Sequence, residues 1–200
     1  MDGFNLFHGI KELGVPRVKW LNLWALAHSL TTQNDTLNGV VYFTAIADWN
    51  PDKARRHRKY IAALRTVNVE IVESRFQRVD RRCVRQSRVC PFQEEKETDV
   101  AFATRVLVDA LTDKADKQIL ITADTDHVPM LKEVRRLRPQ NEIHLAGTES
   151  RLGRANSLKS LATKWTVLHT ERFDGCKLPQ TVVDATGKTV ATCPAKYLAA

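Results

Sequence analysis

The hydrophobic and polar positions of this chain follow two alternating rhythms. A near-continuous apolar run at 39–47 predicts a buried parallel strand, and residues 68–76 alternate with the period of two that is typical of a strand. Further strands are predicted at 117–122, 142–146 and 165–169, and helices at 16–30, 51–67, 99–113, 128–138 and 157–163. This order predicts an α/β fold with a mainly parallel sheet and helices on both of its faces.

Local signals mark where several elements begin and end. Asn50 is expected to cap the helix that Pro51 begins, and Thr98 to cap the helix that starts at Asp99. Residues 77–97 show neither rhythm and are predicted to be irregular. Residues 1–173 are predicted to form one domain. Residues 174–200, with two glycines and two prolines, are expected to be a tail or a hairpin appendage.

The composition limits the class of protein. Two hundred residues with a hydrophobic fraction of 43% are enough for one sizeable core. No apolar run is long enough to predict a membrane span, and no signal-peptide pattern follows Met1. The cysteines form no CxxC pair, which favours the reducing cytoplasm over a disulfide scaffold and disfavours zinc at Cys83 and Cys90.

Positive charge is concentrated in one segment. Residues 53–90 carry twelve Lys or Arg against three acids, a net charge of +9, whereas the rest of the chain sums to −1. This asymmetry indicates a polyanionic partner such as nucleic acid, although a solvated arginine-rich surface would look the same. The arginines expected to grip an RNA backbone are Arg55, Arg56, Arg58, Arg78, Arg81, Arg82, Arg85 and Arg88.

Acidic residues lie at the ends of predicted elements. Asp124 and Asp126 follow the strand at 117–122 directly, where open α/β sheets bind their ligands. Asp2 and Asn5 flank Gly3, which permits close backbone approach, and Asp99 begins a helix. A hard divalent cation would neutralise such a cluster, so a metal-dependent phosphoryl-transfer site is the first hypothesis.

Structural roles are the alternative explanation for the same residues. Asp124, Asp126 and Asp99 are common helix-capping types, and Asp2 with Asn5 suits an ordinary turn. His127 either contacts substrate or merely packs. The four tryptophans, Trp20, Trp24, Trp49 and Trp165, are interpreted as core residues rather than base-stacking platforms.

Three blocks in order resemble the signature of the NYN domain, a family of the PIN-like nuclease superfamily. They are Asp2-Gly-Phe-Asn-Leu-Phe-His-Gly9, Glu94-Glu-Lys-Glu-Thr-Asp-Val-Ala101 and Ile119-Leu-Ile-Thr-Ala-Asp-Thr-Asp-His-Val-Pro129. The resemblance implies a three-layer α/β/α sandwich of the PIN-like, Rossmann-like kind, with acids at the strand ends that hold Mg²⁺ or Mn²⁺. It assigns catalytic roles to Asp2, Asn5, Asp99, Asp124 and Asp126, and metal binding to the four aspartates.

The resemblance also sets two expectations that this chain departs from. In the family a first strand normally precedes the aspartate that Asp2 matches, and that strand is missing from this sequence; if it is truly absent, Asp2 is expected to be poorly held. His127 stands where relatives often carry an apolar or aromatic residue.

The resulting hypothesis is a cytoplasmic, metal-dependent ribonuclease that hydrolyses RNA and has no membrane partner; PIN-like domains often pair, so a homodimer is left open. Two rivals are kept. One is a catalytically silent RNA-binding or adaptor module of the same fold, and the other is a small-molecule enzyme that reuses the acidic pocket. A steep loss of affinity with salt would favour RNA.

Overall fold

Helices and parallel strands alternate through most of the chain, as the sequence predicts. The computed structural model describes residues 1–83 and 88–198. The α-helices are α1 (Gly3–Glu12), α2 (Leu23–His28), α3 (Pro51–Arg65), α4 (Thr98–Leu111), α5 (Val128–Leu137), α6 (Glu149–Leu152), α7 (Asn156–Lys159) and α8 (Thr170–Asp174). The strands are β1 (Val40–Ala45), β2 (Val69–Cys83), β3 (Arg88–Lys96), β4 (Lys117–Ile121), β5 (Glu142–Gly147), β6 (Lys164–Val167), β7 (Thr181–Val183) and β8 (Thr189–Thr192).

Two parallel groups of strands meet at the first two residues of the chain. β1 pairs with β2, and β4 pairs with β5, which pairs with β6, all in parallel. Between β1 and β4, the amide of Phe43 donates to the carbonyl of Met1 at 3.0 Å, and the amide of Asp2 donates to the carbonyl of Ile121 at 3.0 Å. Met1 and Asp2 thus bridge the two groups.

The prediction that residues 77–97 are irregular is wrong for 77–83 and 88–96, and its part at 84–87 lies outside the described residues. β2 runs beside β1 as far as Ser74 and then pairs antiparallel with β3, from Arg75 opposite Lys96 to Cys83 opposite Arg88. This part of the hairpin has no sheet neighbour beyond β3 in the described chain, so most of its side chains are exposed and no apolar rhythm marks it. Pro91 is tolerated because β3 is an edge strand.

Three local predictions also differ from the structure. The helix predicted over 16–30 is divided into a 3₁₀ turn at Pro16–Lys19 and α2, because Leu21 leaves helical geometry to bridge Lys177. The turn expected around Asp2 is the start of α1. Thr98 does not cap α4: Glu97 does so with a left-handed φ of 75°, and the Thr98 hydroxyl donates to Glu95 instead.

Other local predictions are confirmed. Asn50 caps α3 by accepting a hydrogen bond from the amide of Lys53 at 3.0 Å, with Pro51 at the first helical position. Trp20 is buried in the core as expected, but Trp49 and Trp165 are 47% and 50% exposed, so the core interpretation is wrong for these two.

The core comprises two main apolar clusters. One lies around α4, α5 and β5 and includes Phe102, Leu131 and Leu145, all almost fully buried. The other gathers α2, part of α3 and the C-terminal segment, including Val182 of β7 and Ala191 of β8. β7 and β8 form an antiparallel hairpin that packs against α3. The division of the chain at residue 173 stays a prediction.

Candidate active site

Asp2 is buried and held by two hydrogen bonds. Its Oδ1 accepts from the amide of Asn5 at 2.9 Å, which makes Asp2 the N-cap of α1. Its Oδ2 accepts from the hydroxyl of Thr122 at 2.9 Å. The amide of Asp2 also donates to Ile121, and the carbonyl of Met1 accepts from Phe43. Asp2 is thus held in place, and the expectation that it would be poorly held is wrong.

Gly3 allows this close approach of α1 to β1. A Cβ atom on Gly3 would lie 2.6 Å from the carbonyl oxygen of Phe43 and 2.6 Å from the ring of Tyr42. Neither a backbone oxygen nor a buried ring can move away easily, so a side chain at Gly3 would push the start of α1, and Asp2 with it, away from β1.

Asp124 and Asp126 lie immediately beyond β4. Asp124 caps the 3₁₀ turn Thr125–His127, and its Oδ1 accepts from the amide of Asp126 at 3.0 Å. The amide of Asp124 donates to the Thr122 hydroxyl at 3.2 Å. Because the same hydroxyl donates to Asp2, Thr122 connects the N-terminal aspartate to the pair after β4.

Asp99 lies in the first turn of α4 and faces the other three aspartates. Partial burial raises the pKa of Asp99, and the negative charges of Asp124, Asp2 and Asp126 raise it further, while His127 partly opposes them. The structure therefore brings together all four carboxylates that the sequence singles out. Asn5 lies one turn from Asp2 on α1.

His127 packs beneath this cluster. Its side chain is 2% exposed and stacks on Phe102, with ring centroids 4.5 Å apart. Nε2 lies 4.0 Å from Oδ1 of Asp99, and in the described chain it has no hydrogen-bond partner. The packed alternative for His127 is thus correct, and its unpartnered nitrogen points toward the acidic site.

Glu95 is a further acid beside the site, and the sequence analysis did not single it out. Burial raises the pKa of Glu95, the Thr98 hydroxyl at 2.6 Å opposes this, and the charges of Asp2 and Asp99 raise the pKa again. The signal for it was weak, because Glu95 stands in a run of acids that reads as a solvated loop. Its position depends on β3, which ends two residues before α4 begins.

The donor set suits a hard divalent cation, although the side chains as placed do not converge on one point. Within residues 1–83 and 88–198, no three His, Cys, Asp or Glu side chains are placed to hold one ion. Carboxylate oxygens are the ligands that Mg²⁺ and Mn²⁺ prefer. Asp99 and Asp126 are exposed and free to change rotamer, and each oxygen of Asp2 retains a free lone pair.

Several of the arginines expected to bind RNA have carboxylate partners. Arg55 contacts Asp52 at 2.6 Å, Arg81 contacts Glu94 at 2.6 Å and Arg78 lies 3.6 Å from Asp80. Arg58 also pairs, with Asp48. These are exposed pairs of small energy that an RNA phosphate can replace. Arg85 lies outside the described residues, as does the side chain of Arg88.

Comparison with known proteins found one matching family and one structural neighbour. The NYN domain family matches residues 1–169 of the chain. A crystal structure of a protein of unknown function from Vibrio parahaemolyticus aligns with a TM-score of 0.53 and 17% identity, over 78% of this chain and 81% of that one. At this identity the likeness concerns the fold alone. No curated protein matches significantly.

In the described part of the chain, no helix is long and apolar enough to cross a membrane.

Proposed function

Because the chain belongs to the NYN domain family of the PIN-like superfamily, we propose that it is a metal-dependent ribonuclease that hydrolyses RNA phosphodiester bonds at the acidic site. The single observation that supports the proposal is that aspartates from three distant parts of the sequence are linked in space. The Thr122 hydroxyl joins Asp2 to Asp124, Asp124 accepts from the amide of Asp126, and Asp99 lies 4.0 Å from His127 of the same turn. Repulsion among these carboxylates favours a bound cation.

The four aspartates would hold the ion, Mg²⁺ or Mn²⁺. When bound, such an ion activates a water molecule at neutral pH and stabilises the charge that develops on the phosphate. Thr122 would fix the orientation of Asp2, and His127 would limit the movement of Asp99 from beneath. Asn5, half-buried in the first turn of α1, would orient the phosphate or the water.

The arginines of α3 and of the β2–β3 hairpin would grip the RNA backbone. The sheet joined by Met1 and Asp2, with helices packed against it, supports a PIN-like three-layer sandwich as the scaffold. The cytoplasm is the proposed location, since the described cysteines Cys90, Cys176 and Cys193 are unpaired. Pairing into a homodimer stays a prediction.

The test is cleavage of a mixed-sequence single-stranded RNA by the purified protein with Mn²⁺, Mg²⁺ or EDTA, beside Asp124→Asn. Asp113→Asn is the matched control: it makes the same change on a residue that pairs with Arg138 in the turn after α4, at a φ of 53° that asparagine tolerates. We expect metal-dependent cleavage that Asp124→Asn abolishes and Asp113→Asn retains.

A second measurement separates the rivals. Mn²⁺ should raise the melting temperature of the wild type but not of Asp124→Asn, since only the wild type offers the full set of ligands. RNA binding without cleavage and without this metal-induced shift would identify the silent module. Turnover of a neutral small molecule that does not respond to salt would identify the small-molecule enzyme.

A further inference from the structure

A pocket of about 490 Å³ adjoins the acidic site. It lies between α1, the start of α3, the end of β1 and a C-terminal 3₁₀ turn at Ala195–Tyr197. Three of its lining residues border the aspartates: Gly3 follows Asp2, Thr44 follows the residue that pairs with Asp2, and Glu95 interacts electrostatically with it. None of the four aspartates lines the pocket, but these neighbours of Asp2 do, so the pocket lies beside the candidate active site.

Besides Lys11 of α1, four cations from three distant parts of the sequence line this pocket. Lys19 ends the 3₁₀ turn after α1, Lys53 and Arg56 lie in the first two turns of α3, and Lys196 lies in the C-terminal turn. In the described part of the chain, no carboxylate oxygen lies within 4.0 Å of any of the four. Burial lowers the pKa of Lys196, and the charges of Arg56, Lys19 and Lys53 lower it further.

Such a group of like charges is costly without a counter-ion. The four cations repel one another across the pocket, and their mutual repulsion would be relieved by an anion placed among them. This distinguishes them from Arg55, Arg58, Arg78 and Arg81, whose charges are already offset by carboxylates. Of the two basic surfaces, the pocket and the arginines of α3 and the β2–β3 hairpin, the pocket is therefore the one whose positive charges are available to a phosphate.

Exposed aromatic side chains lie beside the cations. Trp49 is 47% exposed and contacts the ring of Phe76 edge to face, with centroids 4.5 Å apart. Phe7 is 44% exposed and lies beneath Lys19, whose Nζ is 5.4 Å from the ring centroid. Large aromatic rings left open next to cations suit the alternating bases and phosphates of a single nucleic-acid strand.

We propose that this pocket binds a single-stranded segment of the RNA substrate, with phosphates at Lys19, Lys53, Arg56 and Lys196 and bases against Trp49 and Phe7. The inference rests on the proposed ribonuclease function for the identity of the strand. A strand held here runs past Thr44 and Glu95 toward the aspartates, so the pocket positions the segment next to the bond that is cut.

Binding is measured in EDTA, so that no cleavage occurs, by fluorescence anisotropy of a labelled single-stranded RNA. We expect Lys53→Gln/Lys196→Gln to lower affinity about tenfold or more at 0.1 M salt and to reduce the slope of log affinity against log salt by about 1.4, about 0.7 for each lost contact. Lys132→Gln/Lys164→Gln removes the same charge outside the pocket. This control should change neither the affinity at 0.1 M salt nor the slope of log affinity against log salt. Equal losses in both double variants would overturn the proposal.

The contribution of aromatic stacking to RNA binding is tested by a matched pair of tryptophan variants. Trp49→Ala should weaken single-strand binding about fivefold or more. Trp165→Ala, at an equally exposed tryptophan that lies outside the pocket and under Lys159, should not. A double-stranded RNA, whose bases are not free to stack, should bind the wild type less tightly and should not respond to Trp49→Ala. A poly-glutamate peptide that competes as well as single-stranded RNA would show a general anion site and overturn the proposal.

Failure of this inference is distinguishable from failure of the proposed function. Metal-dependent cleavage with unchanged binding in the pocket variants would retain the nuclease and reject the pocket. Pocket-dependent RNA binding with no cleavage in any metal would retain the pocket and reject the nuclease. Melting temperatures of all variants must match the wild type for either conclusion.

Discussion

The hydroxyl of Thr122 donates a hydrogen bond of 2.9 Å to the carboxylate of Asp2, a residue 120 positions away. The same hydroxyl accepts from the amide of Asp124 at 3.2 Å. One buried side chain thereby fixes the relative position of two parts of the acidic site.

Thr122→Val should damage the site without removing any acid. The buried Asp2 would lose a donor, which we expect to cost about 2 kcal/mol of unfolding free energy and about 10- to 100-fold in metal affinity or cleavage rate. Chemical denaturation and the cleavage assay measure the two effects. Thr122→Ser keeps the hydroxyl and should restore the rate. A valine variant with normal cleavage would show that Asp2 needs no such support.

Gly3→Ala tests the contact between α1 and β1. The added methyl group would meet the carbonyl of Phe43, and the shift needed should cost about 1–3 kcal/mol together with much of the activity, since Asp2 would move. Gly39→Ala is the control, because a Cβ at Gly39 meets nothing within 4 Å. Equal melting temperatures for the two variants would mean that α1 accommodates the methyl group freely.

Two substitutions of His127 distinguish a packing role from a role at the metal site. His127→Phe keeps a ring on Phe102 and should change the unfolding free energy by less than about 1.5 kcal/mol, whereas His127→Ala should cost about 2–4 kcal/mol through the cavity that it leaves. If the nitrogen facing Asp99 helps to hold the metal site, Mn²⁺ will stabilise the phenylalanine variant less than the wild type. Equal stabilisation would assign His127 a packing role alone.

The pKa of Asp99 predicts a dependence of stability on pH. Because this pKa is raised above its ordinary value of 3.8, the folded protein holds the proton more tightly than the unfolded chain. Stability therefore falls as the pH rises from 3.8 through the folded pKa. In EDTA at pH 7, Asp99→Asn should melt higher than the wild type, by about 2 °C or less since the carboxylate is largely exposed. Below pH 3.8 the difference should vanish, and saturating Mn²⁺ should reverse it.

The hairpin arginines are tested by charge removal. Arg78→Gln/Arg81→Gln/Arg82→Gln should reduce the salt slope of RNA binding by about 2 if all three contact phosphates. Their ion pairs are exposed, so the melting temperature should hardly change. Cleavage at saturating RNA should persist, because the aspartates are intact. An unchanged slope would remove the hairpin from the RNA interface.

The sequence predicted well whatever depends on neighbours along the chain. The buried strands β1 and β4 show as apolar runs, and Asn50 with Pro51 marks the start of α3, because burial periodicity and capping are local properties. Asp124 and Asp126 could be singled out because they follow a strand directly. The β2–β3 hairpin was missed, since its exposed strands carry no such rhythm.

The amino-acid sequence by itself determined the alternating α/β order, the three acidic blocks and the excess of arginine. Only the tertiary structure decided which residues of those blocks lie next to one another. The sheet places Met1 and Asp2 between β1 and β4 through main-chain hydrogen bonds, which no side-chain pattern reveals. Contacts between residues far apart in the chain likewise bury His127 and bring together four cations, Lys19, Lys53, Arg56 and Lys196. Such contacts produce no periodic pattern in the local sequence.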